Sequence, residues 1–346
     1  PCAAIGTIGC MMQGKPFKSA ALTTPDAVSL QGLLSELKGA GAKAFAVEAS
    51  SIGLEQGRLN GTHFDVALFT NLTRDHLDYH QDMAEYERAK AILFDWPNLK
   101  SAVINIDDEA GVRMAEKAVH RQLDVIVTTT RGAIALPGTH SLSADRVRAT
   151  ETGVKFEMTY GQRTYRVEMG IVGEFNISNL LGVVGVALAS GYSMEAILAV
   201  LPKLQPPAGR MQRVIEPGTA LVVVDYSHTP DAVEKALEAL RPIATARRGK
   251  LWVIVGAGGD RDAGKRPIMA NIAERMADEV VLTSDNPRTE DPQAILNDMV
   301  AGVTRPVKVV IDRREAIQYV VNTAAENDVV LIAGKGHEDY QEIQGV

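Results

Sequence analysis

The sequence contains few cysteines and few aromatic residues. Of its 346 residues, two are cysteines, Cys2 and Cys10, and only 5% are phenylalanine, tryptophan or tyrosine. Two cysteines give neither a disulfide framework nor a zinc-ligand pattern. We therefore interpret both as ordinary thiols in a reducing compartment, and we expect a cytoplasmic protein.

A basic stripe and a long apolar run are also absent. The chain has 36 lysines and arginines against 43 acidic residues, a net charge of −7, and the basic residues form no stripe. This pattern argues against a nucleic-acid partner, although a local arginine cluster could still bind an anionic ligand. No run approaches the roughly 18 apolar residues of a membrane span, and we predict neither a signal peptide nor a membrane partner.

The two ends of the sequence suggest a piece of a longer protein. PCAAIGTIG opens inside an apolar run without an initiator methionine, and EDYQEIQGV stops just after a loop. We therefore expect further residues on both sides.

Short β-branched runs alternate with helical patterns, which is typical of a mostly parallel sheet covered by helices. A hairpin is predicted around Tyr160-Gly161, within residues 154–169, and a helix is predicted over residues 177–189. The predicted strands cover residues 44–50, 66–72, 101–107, 125–130, 222–225, 251–256, 279–284, 307–312 and 328–334. Those of the second half are almost continuously apolar, as in strands buried on both faces.

A proline-rich segment, LPKLQPPAGRM, is the best candidate for a linker. It places a domain boundary near residue 207 and divides the chain into residues 1–206 and 207–346. The predicted fold class is α/β. A central, ATPase-like domain with a mostly parallel sheet is followed by a Rossmann-like, doubly wound domain.

Polar residues follow the predicted strands, where ligands bind in open sheets of this type. The polar segments are residues 48–51, 71–80, 225–228, 258–266, 285–288 and 335–338. Because six such loops share this property, we expect them to form one cleft.

Three residues of the first half could bind a metal. The spacing His76-x-x-x-His80 is compatible with zinc on a helix, but no other histidine or cysteine pattern supports that metal. Magnesium, which prefers oxygen ligands, is the better hypothesis. Lys90 lies beside the apolar stripe of a predicted helix. Burial favours the neutral amine of a lysine, and a neutral amine can react with carbon dioxide to form a carbamate that offers an anionic oxygen.

The sequence resembles the Mur ligase family over nearly its whole length. The matching segments occur in family order: LTTPDAVSL, VEASSIGL, TNLTRDHLDYH, YERAKAILF, GEFNISNLL, GRMQRV, VDYSHTPDA, GAGGDRDAGKRP, SDNPRTEDP and AGKGHEDYQ. The resemblance implies an ATP- and magnesium-dependent ligase of peptidoglycan synthesis. Such an enzyme adds meso-diaminopimelate to UDP-N-acetylmuramoyl-L-alanyl-D-glutamate through an acyl phosphate, and we expect it to be a monomer.

The resemblance also implies roles for individual residues on the nucleotide side of the site. Glu48 and His76 match magnesium-binding positions, and Lys90 matches a lysine carried as a carbamate. The other matches are adenine contacts at Asn176 and Asn179, a ribose-binding acid at Asp225 with His228 close by, and a phosphate-binding arginine at Arg210.

Two further groups match substrate contacts of the family. Contacts with the nucleotide acceptor are implied for Thr23, Thr24, Ser51, Gln56 and Arg58. Contacts with diaminopimelate are implied for Arg261, Asp285, Asn286, Pro287, Arg288, Gly334 and Glu338. Arg288 can bind the second carboxylate of diaminopimelate with two parallel hydrogen bonds. A buried arginine here predicts rejection of lysine, because its charge would be left unpaired.

Two features depart from the family pattern. No P-loop motif, G-x-x-x-x-G-K-[ST], occurs in the 346 residues, and the N-terminal uridine-binding domain and the end of the C-terminal domain are missing. This chain alone should therefore bind ATP poorly. Ile52 stands where relatives often have histidine, which leaves one acceptor contact open.

Three other functions stay open. Gly256-Ala257-Gly258-Gly259 after a strand suggests a nicotinamide-dependent oxidoreductase, but the third glycine of that fingerprint is missing. A folylpolyglutamate synthase-like ligase would share the scaffold, although Arg288 argues against it. A module that binds ligand without catalysis is the third alternative.

Overall fold

The structure, a computed structural model, describes residues 1–18, 22–73, 79–132, 134 and 136–344. It divides into two compact units. Unit 1 comprises Pro1–Ser143, Thr159–Arg163 and Ser178–Ile197, and unit 2 comprises Ala144–Met158, Thr164–Ile177 and Leu198–Val346. None of the described helices is both long and apolar enough to cross a membrane.

The first sheet combines an antiparallel meander with one parallel strand. Its strands are β1 (Cys2–Gly6), β2 (Gly9–Met12), β3 (Lys15–Lys18) and β4 (Ala44–Val47), in the order β3-β2-β1-β4. β1 is antiparallel to β2 and parallel to β4. Helix α1 (Ala27–Gly39) precedes β4 and begins after Asp26, whose side chain accepts hydrogen bonds from the backbone N–H groups of Val28 and Ser29.

The second sheet has the order β10-β9-β8-β7-β6-β5. Its strands are β5 (Val66–Phe69), β6 (Ser101–Asn105), β7 (Asp124–Thr129), β8 (His140–Thr150), β9 (Gly153–Tyr160) and β10 (Arg163–Met169). The pairs β5–β6, β6–β7 and β7–β8 are parallel. The predicted hairpin is confirmed as β9 and β10, and Gly161 supplies the positive φ that its short turn needs.

Five further α-helices are described in the first half of the chain. They are α2 (Ser51–Glu55), α3 (Met83–Ala91), α4 (Glu109–His120), α5 (Glu174–Ala189) and α6 (Met194–Val200). Of these, α4 and α5 approach strands of the second sheet. One apolar core of unit 1 contains residues from α1, α4, β1, β5, β6 and β7, with Ile5, Leu30, Ile104 and Met114 almost fully buried. The predicted helix over residues 177–189 is confirmed and starts at Glu174.

The third sheet carries the second half of the chain. Its strands are β11 (Gln212–Val214), β12 (Leu221–Asp225), β13 (Leu251–Val255), β14 (Glu279–Leu282), β15 (Lys308–Val309) and β16 (Val329–Ala333), in the order β11-β12-β16-β13-β14-β15. All neighbours are parallel except β11, which is antiparallel to β12.

Helices cover both faces of this third sheet. They are α7 (Pro230–Arg247), α8 (Lys265–Met276), α9 (Pro292–Val300) and α10 (Arg313–Thr323). Alternate residues of β13 belong to different cores: Leu251, Val253 and Val255 join one cluster, and Trp252 and Ile254 join the other. The predicted doubly wound α/β arrangement is therefore confirmed in this half.

Candidate functional site

In unit 1, the carboxylate of Glu48 lies at the ends of β1 and β4. Its Oε2 accepts hydrogen bonds from the backbone N–H of Thr7 at 2.8 Å and from the Thr7 hydroxyl at 2.9 Å. The Thr7 hydroxyl also lies 3.0 Å from that of Thr23. A Cβ at Gly6 would lie 2.5 Å from the same carboxylate oxygen, so glycine is needed for this approach.

Thr24 joins this network from the next position. Its buried hydroxyl donates to the carbonyl of Glu48 at 2.7 Å and accepts the backbone N–H of Ser50 at 3.0 Å. Arg58 donates to the carbonyl of Thr24 at 3.0 Å and to Oε1 of Gln56 at 2.9 Å. The structure thus brings Glu48, predicted to bind magnesium, together with Thr23, Thr24, Gln56 and Arg58, which were predicted to contact the nucleotide acceptor.

Ser51, the remaining predicted acceptor contact, is buried against His80. Its hydroxyl lies 2.9 Å from Nε2 of His80, and Nδ1 of the same ring lies 3.6 Å from Glu55. The His80 ring stacks on Tyr86, with a centroid distance of 5.1 Å. Both ring nitrogens of His80 therefore have protein neighbours, which argues against zinc at the spacing His76-x-x-x-His80.

The predicted metal ligands are only partly described. Lys90 lies on α3, is half-buried, and has its Nζ 4.9 Å from the centroid of the Tyr86 ring. His76 lies outside the described residues. Among the residues that are described, no group of three or more histidines, cysteines and acidic residues could hold a metal ion. Glu48 offers the oxygen donor that magnesium prefers, and the metal set Glu48, His76 and Lys90 stays a prediction.

The two predicted adenine contacts lie in the first part of α5. The side-chain amide of Asn176 donates to the carbonyl of Val172 at 2.8 Å, and this asparagine is half-buried. Asn179 is exposed.

In unit 2, three predicted nucleotide-binding residues lie around Tyr226. The guanidinium of Arg210 lies 5.0 Å from the centroid of the Tyr226 ring, and the His228 ring lies 4.8 Å from it. Asp225 precedes them at the end of β12. Its two carboxylate oxygens accept backbone N–H groups from Met211 at 2.8 Å and Ser227 at 2.9 Å, so this acid also fixes the local backbone.

Four of the predicted diaminopimelate contacts form, together with Lys335, a second polar cluster in unit 2, which we call the amide–carboxylate pocket (Asp285, Asn286, Arg288, Lys335 and Glu338). Asn286 lies at its centre and is 4% exposed. Its Oδ1 accepts from Nζ of Lys335 at 2.7 Å and from the backbone N–H of residue 342 at 3.0 Å, while its Nδ2 donates to Glu338 at 3.1 Å. These three bonds fix the orientation of the amide.

Glu338 is held as a carboxylate in this pocket. Burial raises its pKa, but hydrogen bonds from Lys335 and Asn286 and the charge of Lys335 outweigh burial, so the pKa of Glu338 lies below its ordinary value. Lys335 donates to Oε2 at 2.9 Å and the Tyr226 hydroxyl to Oε1 at 3.2 Å. Burial and the nearby Glu338 raise the pKa of Tyr226.

Asp285 presents an unsatisfied oxygen. Its Oδ1 accepts the backbone N–H of Asn286 at 2.7 Å, whereas its buried Oδ2 has no hydrogen-bond partner among the described residues. A Cβ at Gly334 would lie 2.5 Å from that oxygen, so glycine keeps the approach open. The guanidinium of Arg313 is also buried, and this burial lowers the pKa of Arg313. This guanidinium donates hydrogen bonds to the carbonyls of Ala333 and Ser284. An orphaned buried carboxylate oxygen suits a ligand ammonium.

Arg288 differs from the sequence-based expectation. Its side chain is 21% exposed, so it is only partly buried, and its Nε lies 3.1 Å from the carboxylate of Glu342, so its charge is not left unpaired when the ligand lacks a second carboxylate. Its Nη1 donates to the carbonyl of Gly259 at 2.8 Å. The backbone of Arg288 has φ 51°, a strained conformation of the kind that gathers at functional sites.

Arg261 and Pro287 are the other predicted diaminopimelate contacts. Arg261 is exposed, and its Nη1 lies 3.5 Å from the carbonyl of Asp260. Pro287 is buried, and its carbonyl accepts the backbone N–H of Glu290 at 3.0 Å.

A separate cavity of about 380 Å³ in unit 1 lies between α1, β4 and residues 61–64, and none of the predicted site residues lines it.

Sequence reasoning gave no individual role to four residues of this region, Tyr226, Arg313, Lys335 and Glu342, although Tyr226 and Lys335 lie within the predicted polar segments 225–228 and 335–338. Lys335 had a signal, because a lysine directly after an apolar strand and a glycine is well placed to be buried near a ligand. Arg313 and Glu342 had no such signal, since their partners Ala333 and Arg288 lie far away along the chain.

Two family descriptions match the chain. "Mur ligase middle domain" matches residues 2–187, and "Mur ligase, glutamate ligase domain" matches residues 209–336.

Curated relatives match over the whole chain. The UDP-N-acetylmuramoyl-L-alanyl-D-glutamate–2,6-diaminopimelate ligase of Ralstonia nicotianae is 52% identical over 99% of this chain and 67% of its own length. The proteins of the same name from Janthinobacterium sp. (strain Marseille) and Pseudomonas aeruginosa are 48% and 49% identical over all of this chain and 69% of theirs.

Solved structures agree with these relatives. A structure of a UDP-N-acetylmuramoyl-L-alanyl-D-glutamate–2,6-diaminopimelate ligase has a TM-score of 0.76 and 40% identity, over all of this chain and 69% of that one. A folylpolyglutamate synthase of Mycobacterium tuberculosis has a TM-score of 0.65 over 96% of this chain and 82% of that one, but at 18% identity it shares the fold alone. With identities near 50% along its full length and matches to both domains, the chain belongs to the Mur ligase family.

Proposed function

We propose that this protein acts as an ATP-dependent ligase that joins meso-2,6-diaminopimelate to UDP-N-acetylmuramoyl-L-alanyl-D-glutamate in peptidoglycan precursor synthesis. We further propose that it works in the cytoplasm as a monomer. The amide–carboxylate pocket is the observation that carries the proposal. It places acidic oxygens and a guanidinium within one small region of unit 2, where an amino acid with a charged group of each sign at its far end would fit.

The pocket matches the far end of diaminopimelate group by group. The Oδ2 of Asp285, which has no hydrogen-bond partner among the described residues, and the carboxylate of Glu338 suit the distal ammonium. Arg288 suits the distal carboxylate. Arg261 follows two residues after Gly259, whose carbonyl accepts a hydrogen bond from Arg288. The backbone around Asn286, Pro287 and Gly334 shapes the space between them. Lysine has the ammonium but not the carboxylate, so it forms fewer of these contacts.

We assign the nucleotide acceptor to the network of unit 1. Thr23, Thr24, Gln56 and Arg58 supply hydroxyl, amide and guanidinium groups, which suit a peptide and phosphate oxygens. Ser51 contributes through a hydroxyl that His80 orients.

ATP is assigned to the residues with nucleotide-type donors. Asn176 and Asn179 are proposed for adenine, Asp225 and His228 for ribose, and Arg210 for phosphate. Glu48, His76 and a carbamate on Lys90 are proposed to bind magnesium, which when bound offsets phosphate charge. The carbamate forms when the neutral amine of Lys90 attacks carbon dioxide and loses one proton.

The reaction then has two steps. A side-chain carboxylate oxygen of the D-glutamyl residue attacks the terminal phosphorus of ATP, and ADP leaves. The neutral amine of diaminopimelate attacks the resulting acyl carbon, and phosphate leaves as the nitrogen loses its proton. Arg210 offsets negative charge in the first step, and the pocket around Asn286 holds the far end of the amino acid for the second.

Isothermal titration of the chain with meso-diaminopimelate, L-lysine and L-glutamate tests the proposal. We expect diaminopimelate to bind, with lysine roughly tenfold or more weaker because it lacks the second carboxylate. A preference for glutamate would favour the folylpolyglutamate synthase-like alternative. Turnover is measured separately on the protein expressed from its complete reading frame, because the 346 residues contain no P-loop motif.

A further inference from the structure

The side chain of Glu342 contacts the guanidinium of Arg288, the group that we propose binds the distal carboxylate of diaminopimelate. Its Oε2 is 3.1 Å from Nε of Arg288, and the two side chains are 41% and 21% exposed. The backbone holds the two residues together: Arg288 donates its N–H to the carbonyl of Glu342 at 3.0 Å, and Gln344 donates to the carbonyl of Arg288 at 2.7 Å. The segment after Gln341 thus brings an internal carboxylate to the arginine.

This contact limits how a ligand can reach Arg288. A bidentate carboxylate needs two nitrogens on one edge of the guanidinium, either Nε with Nη2 or Nη1 with Nη2. Nη1 donates one of its two N–H groups to the carbonyl of Gly259, which is buried backbone, whereas Nε, with its single N–H, faces Glu342. Of these two neighbours, the partly exposed side chain of Glu342 is the one that can rotate away.

We propose that Glu342 is a specificity-determining residue that pairs with Arg288 until the second carboxylate of diaminopimelate displaces it. This inference rests on the proposed function of the pocket. Diaminopimelate must break the Arg288–Glu342 pair before it binds, which weakens its affinity. Lysine leaves the pair intact, so it binds without leaving the arginine charge unpaired. Glu342 therefore narrows the preference for diaminopimelate over lysine.

A different role for Glu342 has the opposite consequence. If this carboxylate only holds Arg288 in place for the ligand, its removal lets the guanidinium move and weakens the binding of diaminopimelate. The sign of the change in affinity therefore separates displacement from static positioning.

The test uses the 346-residue chain and its Glu342→Gln variant, titrated calorimetrically with meso-diaminopimelate and with L-lysine. We expect the variant to bind diaminopimelate about two- to fivefold more tightly, the range for a partly exposed ion pair. Lysine should bind equally or more weakly, so the ratio of the two affinities widens. Glu342→Ala should change that ratio in the same direction.

Glu279→Gln is the matched control. It removes the same charge and an ion pair with Lys250 at 2.7 Å, and its side chain is 39% exposed, but it lies at the start of β14. The affinity ratio should stay at the wild-type value in this variant. An equal widening in both variants would assign the effect to net charge and overturn the proposal.

Two other outcomes also decide the matter. If wild type binds diaminopimelate and Glu342→Gln binds it equally or more weakly, the displacement role is wrong while the proposed function stands. If wild type binds neither amino acid, the assignment of the pocket fails, and this inference fails with it.

Discussion

At the residue scale, the ammonium group of Lys335 sits almost enclosed against two polar partners. Its side chain is 10% exposed and that of Glu338 is 16% exposed. Replacing Lys335 with methionine leaves the Glu338 carboxylate without a charged partner, so we expect the free energy of unfolding to fall by about 3 kcal/mol. Urea denaturation followed by fluorescence measures this change. Lys235→Met, which removes an exposed pair with Asp231 on α7, should cost only a few tenths of a kcal/mol.

The loss of stability caused by Lys335→Met should depend on pH. Because the pKa of Glu338 is lowered in the folded protein, its stabilising contribution is fully present above the unfolded value of about 4.3 and is lost as pH falls through the folded value. The stability difference between wild type and Lys335→Met should therefore shrink below about pH 4. A difference that stayed constant into acid would show that the lysine acts through packing and not through charge.

At the element scale, two helical glycines predict opposite effects of the same substitution. A Cβ at Gly111 of α4 would lie 1.8 Å from the carbonyl oxygen of Asn105 at the end of β6, so Gly111→Ala must push the helix from the sheet. We expect a loss of about 1–3 kcal/mol or more. Gly32 of α1 has nothing within 4 Å of such a Cβ, and Gly32→Ala should stabilise by up to about 1 kcal/mol. Thermal unfolding of both variants compares them directly, and a destabilised Gly32→Ala would contradict the prediction.

Elements also show how far the sequence predicts the fold. Continuous apolar runs indicated β12, β13, β14 and β16 correctly, because strands covered on both faces need apolar side chains at every position. The run over residues 307–312 gave only the two-residue strand β15. The meander strand β3 was not predicted, since its sequence KPFK is exposed throughout and lacks a buried face.

The candidate site divides in the same way. Family resemblance selected residues that the structure does bring together, such as Asn286 and Glu338. It could not give the partners that close the pocket, because these depend on tertiary approach: Lys335 bonds to Asn286 across 49 positions. The pairing of Arg288 with Glu342 also depends on tertiary approach. Because this pair gives Arg288 a partner in the absence of ligand, it lowers the expected preference for diaminopimelate over lysine.

At the scale of the whole molecule, each compact unit contains one tryptophan. Trp96 lies in unit 1, where its indole N–H donates to the carbonyl of Thr62 at 2.8 Å. Trp252 lies in unit 2 and donates to Asp328 at 2.9 Å. The chain has no other tryptophan, so Trp96→Phe leaves a reporter of unit 2 alone, and Trp252→Phe leaves a reporter of unit 1 alone. In each variant the substitution perturbs the unit that is not observed.

These reporters separate ligand binding by unit. The proposed diaminopimelate site lies entirely in unit 2, and a ligand at 100 times its dissociation constant stabilises the folded form by about 2.7 kcal/mol. We therefore expect diaminopimelate to raise the thermal midpoint reported by Trp252 by roughly 5–10 °C and to leave the midpoint reported by Trp96 unchanged. Fluorescence-detected melting of the two variants, with L-glutamate as the control ligand, measures both midpoints. Equal shifts at both tryptophans would contradict this prediction. They would mean that the chain unfolds as one cooperative body, because stabilising unit 2 would then also raise the free energy needed to unfold unit 1.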